Sequence, residues 1–195
     1  PNAREPVDGL ETRARDLQQQ AQQRLDALHT QKYRARYGLL AQKAALLDRI
    51  EAAAIAAEPL EVVVAEAKQA WAELPHLPGK TESLLAKRFA AASSITKAEL
   101  VAGREARETL LLDLEIALGL PSPEAYVEVR RKRQLEQLQH RFGTAAPQLS
   151  ETEAEAETLL ARWYATAALP DAACEQRIAA VVRLLAAQAV PGRER

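Results

Sequence analysis

Two rare motifs recur at a fixed spacing in this chain, and the recurrence restricts its possible folds more than any other feature. Trp71 and Trp163 each stand six residues before a Leu-Pro pair, Leu77-Pro78 and Leu169-Pro170, so the motifs lie 92 residues apart. At that offset Gln42, Leu46, Arg49, Ala53, Ala54 and Glu61 fall on Gln134, Leu138, Arg141, Ala145, Ala146 and Glu153. With the Trp, Leu and Pro this makes nine identities over positions 42 to 78. The chain reads as two copies of one helical unit. Such units bury an apolar stripe against a neighbour and supply surface and span rather than a catalytic pocket.

Composition agrees with helices. The 195 residues are 48% hydrophobic with seven Gly, enough apolar side chain for a real core. Ala, Leu, Glu, Arg and Gln dominate, and β-branched runs are almost confined to Val62–Val64 and Val181-Val182, so the expected class is all-α. A net charge of -1, from 26 basic and 27 acidic residues, gives no global field toward nucleic acid or a membrane. The single Cys174 excludes an internal disulfide framework, and neither a long apolar run nor a basic-plus-apolar leader is present, which makes the cytoplasm the expected compartment. The absence of Met leads us to expect a fragment of a longer protein.

Apolar residues at 10, 14, 17, 21, 25, 28, 35, 39, 46, 50, 53 and 57 repeat about every 3.6 residues and predict one long N-terminal helix. A bend is expected at Gly38. The 3.6 period argues against a long left-handed coiled coil, which needs sustained heptads. Pro59 opens a second helix with Leu60, Val63, Val64, Ala67, Trp71 and Leu74 on one face, ended by Pro75-His-Leu-Pro-Gly79. A helical region then runs from about Thr81 to Leu118, with breaks expected at Ser93–Thr96 or Gly103. Ser122-Pro123-Glu124 reads as an N-cap, Pro at the first helical position and an acid in the first turn, opening a helix that stops at Gly143. Ser150–Glu153 reads as a capping box for the Trp163 helix, and Asp171 as the cap of the last one.

The surroundings of the first Trp resemble a known pattern. Trp71-Ala-Glu-Leu-Pro-His-Leu-Pro-Gly-Lys, followed by Leu84-Leu85-Ala-Lys-Arg88-Phe89-Ala-Ala-Ala92, resembles a bacterial helical repeat called domain of unknown function 349 over about residues 62–97. The second copy, about 155–187, keeps Trp163, Leu169-Pro170 and Arg177 but has Ile178 where the pattern has Phe, and so reads as divergent. The segment from Leu114 to Glu124 also looks like the region after the last full repeat of larger members. The resemblance implies a cytoplasmic, multi-repeat bacterial protein and supplies no activity. It implies structural roles for Trp71, Pro78, Arg88, Phe89, Trp163, Pro170 and Arg177.

Residue chemistry points the same way. Both Trp lie on the apolar stripes of their helices, where core packing outweighs base stacking. Arg88 and Arg177 suit the carbonyls of a neighbouring helix end, or apolar surface covered by their stems, better than a phosphate. Gly79-Lys80-Thr81 lacks the earlier glycine and strand of a phosphate-binding loop. His29, His76 and His140 are scattered, and no metal site is expected. Cys174 falls in a first helical turn, where the dipole favours thiolate, but a lone cysteine is more often a small buried hydrophobe, and without a resolving partner no redox chemistry is expected. No carboxylate pair is marked out as an acid-base dyad, and neither a catalytic nor a cofactor-binding residue is expected.

The run Val129-Arg130-Arg131-Lys132-Arg133 has the look of a partner surface. On a helix Arg130, Arg133, Gln137, His140 and Arg141 share a polar face, opposite a core stripe of Val127, Leu135, Leu138 and Phe142. The face suits phosphates or, alternatively, pairing with Glu151, Glu153, Glu155 and Glu157. Arg131 falls within the stripe, which predicts a buried or half-buried ion pair. Lys32, Arg34 and Arg36 would extend the basic surface if the helices are neighbours.

The reading is an elongated all-α bundle of about six helices: a long N-terminal helix over 1–58, one repeat unit over 59–119 and a divergent one over 120–195. The expected function is a non-catalytic interaction or spacer module with a protein partner and no membrane. The alternative is RNA or DNA binding through Arg130, Arg133 and Arg141, helped by Lys32, Arg34 and Arg36. The sequence leaves the oligomeric state open.

Overall fold

The computed structural model describes residues 5–56, 58–140 and 149–188. It is all-α, with no strand among the described residues. The first helix, α1, runs over Glu5–Ala56, and its 52 residues span about 78 Å. The helix is continuous through Gly38, the position where a bend is expected. One Gly costs a helix about 1 kcal/mol, and Tyr37, Leu40, Ala44 and Leu47 pack into the main core on either side of it.

The single long stripe predicted for α1 divides in two. From Gly9 to Leu28 every residue except Asp26 is exposed, so this length of helix stands free of the bundle. Beyond it, the buried face carries Tyr37, Leu40, Lys43, Ala44, Leu47 and Glu51, on a line rotated from the predicted one. The predicted positions Leu46, Ile50 and Ala53 serve a smaller core beside it, with Val63, Ala67 and Ala92.

After Pro59 comes α2, Leu60–Glu73, then α3, Thr81–Ala92, with Gly79 at φ +65 turning the loop between them. The break at Ser93–Thr96 is present and the one at Gly103 is not. Helix α4, Lys97–Ala117, opens on a capping box of Thr96 and Glu99 that escaped the sequence reading, and it runs through Gly103. A Cβ on Gly103 would lie 1.7 Å from the Ala167 carbonyl oxygen, so the glycine marks a close backbone approach.

A 3₁₀ turn at Glu124–Tyr126 leads into α5, Val127–His140. Ser122 does not cap it: the hydroxyl donates to Glu115 at 2.5 Å and accepts from Arg130 at 2.7 Å. The predicted stop at Gly143 lies outside the described residues. Helix α6, Leu149–Ala165, begins one residue before the predicted N-cap Ser150, whose side chain, like that of Glu153, lies outside the described residues. Helix α7, Ala172–Gln188, is capped as predicted by Asp171, whose Oδ1 accepts from the Ala173 and Cys174 amides at 2.9 and 3.1 Å.

Helix α1 packs against α2 and α3 as α4 packs against α6 and α7, while α3, α6, α7 and α1 meet in a shared core. The correspondence extends to side chains. Lys43 lies over the Trp71 ring and Arg107 over the Trp163 ring, each 4.5 Å from the centroid. Eight residues further along each helix, Glu51 receives Arg88 and Glu115 receives Arg177. Between these positions Leu47 and Ile50 match Leu111 and Leu114, all 0% exposed.

The 92-residue offset of the sequence would have seated α5 beside Trp163. The offset realised for this helix is 107 − 43 = 64 residues, and the seat belongs to α4. The reason is chemical. In the 92-residue register Lys43 falls on Leu135 and Glu51 on Gly143, so α5 brings neither the cation for Trp163 nor the carboxylate for Arg177. A buried Arg without its partner costs more than the apolar contact of a rival helix returns.

Candidate interaction surfaces

The motif residues other than Pro78 and Pro170 are buried or half-buried. Arg88 donates to both oxygens of Glu51 at 2.7 Å and to the Tyr164 carbonyl at 2.8 Å, and it also pairs with Asp48. Tyr164 stands one residue before the end of α6, so Arg88 satisfies a terminal carbonyl, the role expected for it. Burial works against the guanidinium charge, but the Glu51 hydrogen bond and Asp48 outweigh it and raise the Arg88 pKa.

Arg107 donates to the Thr166 carbonyl at 2.8 Å and reaches Asp48 at 3.4 Å, so Asp48 ties α3 to α4. Burial depresses Arg107 and pushes Tyr164 up to about 12. Arg177, expected at a helix-end carbonyl, instead holds the Glu115 carboxylate through two hydrogen bonds of 2.7 and 2.8 Å. Lys43 donates to Glu82 at 2.6 Å, and Glu82 also accepts from the Leu77 amide at 2.9 Å, fixing the Leu77-Pro78 loop. Phe89 stands edge-on to Trp71 at 5.3 Å, and Trp163 is 1% exposed, while Pro78 and Pro170 are exposed loop residues.

The buried charges Lys43, Glu51, Arg107 and Glu115 escaped the sequence reading. Their signal was an ionisable pair eight residues apart, about two helical turns, in each of two otherwise apolar faces.

Glu108, Asp171 and Cys174 place ligand-type atoms within 4.8 Å of one another. Asp171 is already engaged as a helix cap and with Arg104, which neutralises the group. Cys174 is the small buried side chain expected of a lone cysteine, and burial, with Asp171 nearby, pushes its thiol up.

Helix α5 sits the opposite way round from the prediction. Its basic face turns inward. Arg130 donates to the Leu120 carbonyl and the Ser122 hydroxyl, both at 2.7 Å, and Arg133 pairs with Asp113 at 3.3 Å. The predicted core stripe turns outward, with Val127 43%, Leu135 56% and Leu138 63% exposed. The turn after α4 leaves polar acceptors at Leu120 and Ser122, which long Arg side chains reach and apolar ones cannot satisfy. Arg131 is not buried: it meets Glu128 at 3.1 Å with both side chains exposed. Phe142 and Arg141 lie outside the described residues, as does the side chain of His140. Beside α5, an open groove of about 480 Å³ is lined by Ile116, Ala117, Leu138 and neighbouring polar groups.

The two basic groups do not merge. Arg36 donates to both oxygens of Glu157 at 3.0 and 3.1 Å, whereas Asp113, beside Arg133, feels Arg162 and Glu155. Glu155 and Glu157 are two residues apart on α6, about 200° around the helix. The groups around Arg36 and Arg133 therefore lie against different sides of α6. Lys32 and Arg34 are exposed.

The free length of α1 carries the second outward apolar stripe, with Leu10 68%, Leu17 59%, Leu25 51% and Leu28 61% exposed. Among the described residues no helix is long and apolar enough to cross a membrane. No family model, curated protein or solved structure matches the chain.

Proposed function

We propose that this chain is a non-catalytic helical interaction module of a bacterial cytoplasmic protein. One observation carries the reading: α5 and the free length of α1 turn apolar stripes to solvent while Arg130 and Arg133 of α5 are used internally. Contiguous exposed apolar surface is a mark of protein contact. The matching seats of Lys43 and Arg107, and of Glu51 and Glu115, support descent of the two halves from one duplicated unit of the kind the Trp71 motif resembles.

Nucleic-acid binding loses support because Arg36, Arg130 and Arg133 already have internal acceptors. The test is a photo-cross-linking residue placed at Leu135 or Leu17, with labelled single-stranded RNA titrated in parallel at two salt concentrations. Protein adducts at these positions and flat RNA curves are expected. Tight, salt-sensitive RNA binding without protein adducts would overturn the reading.

A further inference from the structure

We infer that the free length of α1 pairs with the same segment of a second copy of this chain, antiparallel, about a two-fold axis near Gln19. The inference rests on the interaction reading above and names the partner of one of its surfaces. From Gly9 to Leu28 every residue apart from the partly covered Asp26 is exposed, yet the helix carries Leu10, Ala14, Leu17, Ala21, Leu25 and Leu28 on one side. A helix of about 20 residues with nothing against its apolar side is marginal in water.

The stripe is complementary to itself when reversed. With residue numbers summing to 38 across the pair, Leu10 faces Leu28 and Leu17 faces Ala21; Ala14 meets Leu25 one residue out of register. Small side chains thus meet large ones in the middle layers, which fills space, whereas a parallel pair would set Ala14 on Ala14 and Ala21 on Ala21 and leave thin layers. The charge pattern fits the same axis. Residues near a two-fold meet their own copies, where like charges repel. Gln18, Gln19, Gln20, Gln22 and Gln23 occupy that region, with no charge between Asp16 and Arg24.

The bundle leaves room for this arrangement. Tyr33 is the first residue of α1 packed on the main core, and the sum of 38 sets it opposite Glu5, the first helical residue. The two bundles would therefore sit at opposite ends of the paired segment without overlap, while a parallel pair would bring them together at one end. An interface of this length is near the lower bound for stable association, about 1,200 Å² in total, and suits a reversible dimer with a Kd of about micromolar.

Sedimentation equilibrium of the whole chain, from below to well above that concentration, should show monomers passing to dimers. Leu17→Glu should abolish dimers while leaving the thermal unfolding of the bundle unchanged. Orientation is read separately in a Cys174→Ser background. Leu10→Cys mixed with Leu28→Cys should cross-link through a short bis-maleimide, and neither variant should cross-link alone, since its two thiols would lie about 27 Å apart. A wild-type chain that stays monomeric, or self-cross-linking of Leu10→Cys, would overturn the inference. Adducts from Leu17 to other proteins on a strictly monomeric chain would leave the interaction reading standing and remove only the self-pairing.

Discussion

Gly103 has no side chain because the backbone at Ala167 leaves none room. In an ordinary helix interior Gly→Ala gains about 1 kcal/mol. Here the added Cβ meets a carbonyl oxygen, so Gly103→Ala should instead cost about 2 to 3 kcal/mol in urea denaturation. Glu82 belongs to the same scale. Burial alone would raise its pKa, but the Lys43 hydrogen bond and the Leu77 amide hold it below the ordinary 4.5. A depressed carboxylate stabilises the fold above its unfolded pKa and loses that contribution as pH falls through the folded value. The stability difference between wild type and Glu82→Gln should therefore be largest near neutral pH and shrink below about pH 4.5. Individual residues were legible where a local rule applies. The Asp171 cap, the inward Trp163 and the helix-end role of Arg88 all followed from their neighbours in sequence. Lys43, Glu51, Arg107 and Glu115 were hidden because a charge in an apolar stripe reads as a gap until its distant partner is known.

Helix boundaries were legible to within a few residues, since Pro59, Ser93–Thr96 and Asp171 interrupt or cap the backbone locally. Orientation was not. For α5 the apolar periodicity pointed to the wrong inner face, because a stripe shows which side is greasy and not whether a neighbour exists to cover it. The helix is held by Arg130 and Arg133, whose acceptors lie on another helix and its following turn. Replacing both with Ala should lower amide-exchange protection across Val127–His140 by about tenfold, the equivalent of one to two net hydrogen bonds, and leave α4 and α6 unchanged. Equal loss in all three helices would mean that α5 is integral to the core rather than pinned to its surface.

At the scale of the whole molecule, the stability of the bundle should be indifferent to the first half of α1. A chain lacking residues 1–28 should unfold at a temperature within about 2 °C of the full-length protein, because the segment from Gly9 to Leu28 is exposed except at Asp26. A larger drop in scanning calorimetry would point to contacts from that segment back to the bundle. The seat beside Trp163 has a different consequence. Both α4 and α5 precede α6 and α7 in the chain, so order of synthesis gives neither contender an advantage when their common partner emerges. The choice then falls to energy: α4 neutralises Arg177 through Glu115 and covers Trp163 with Arg107, whereas α5, which matches only in outline, would leave both without a partner.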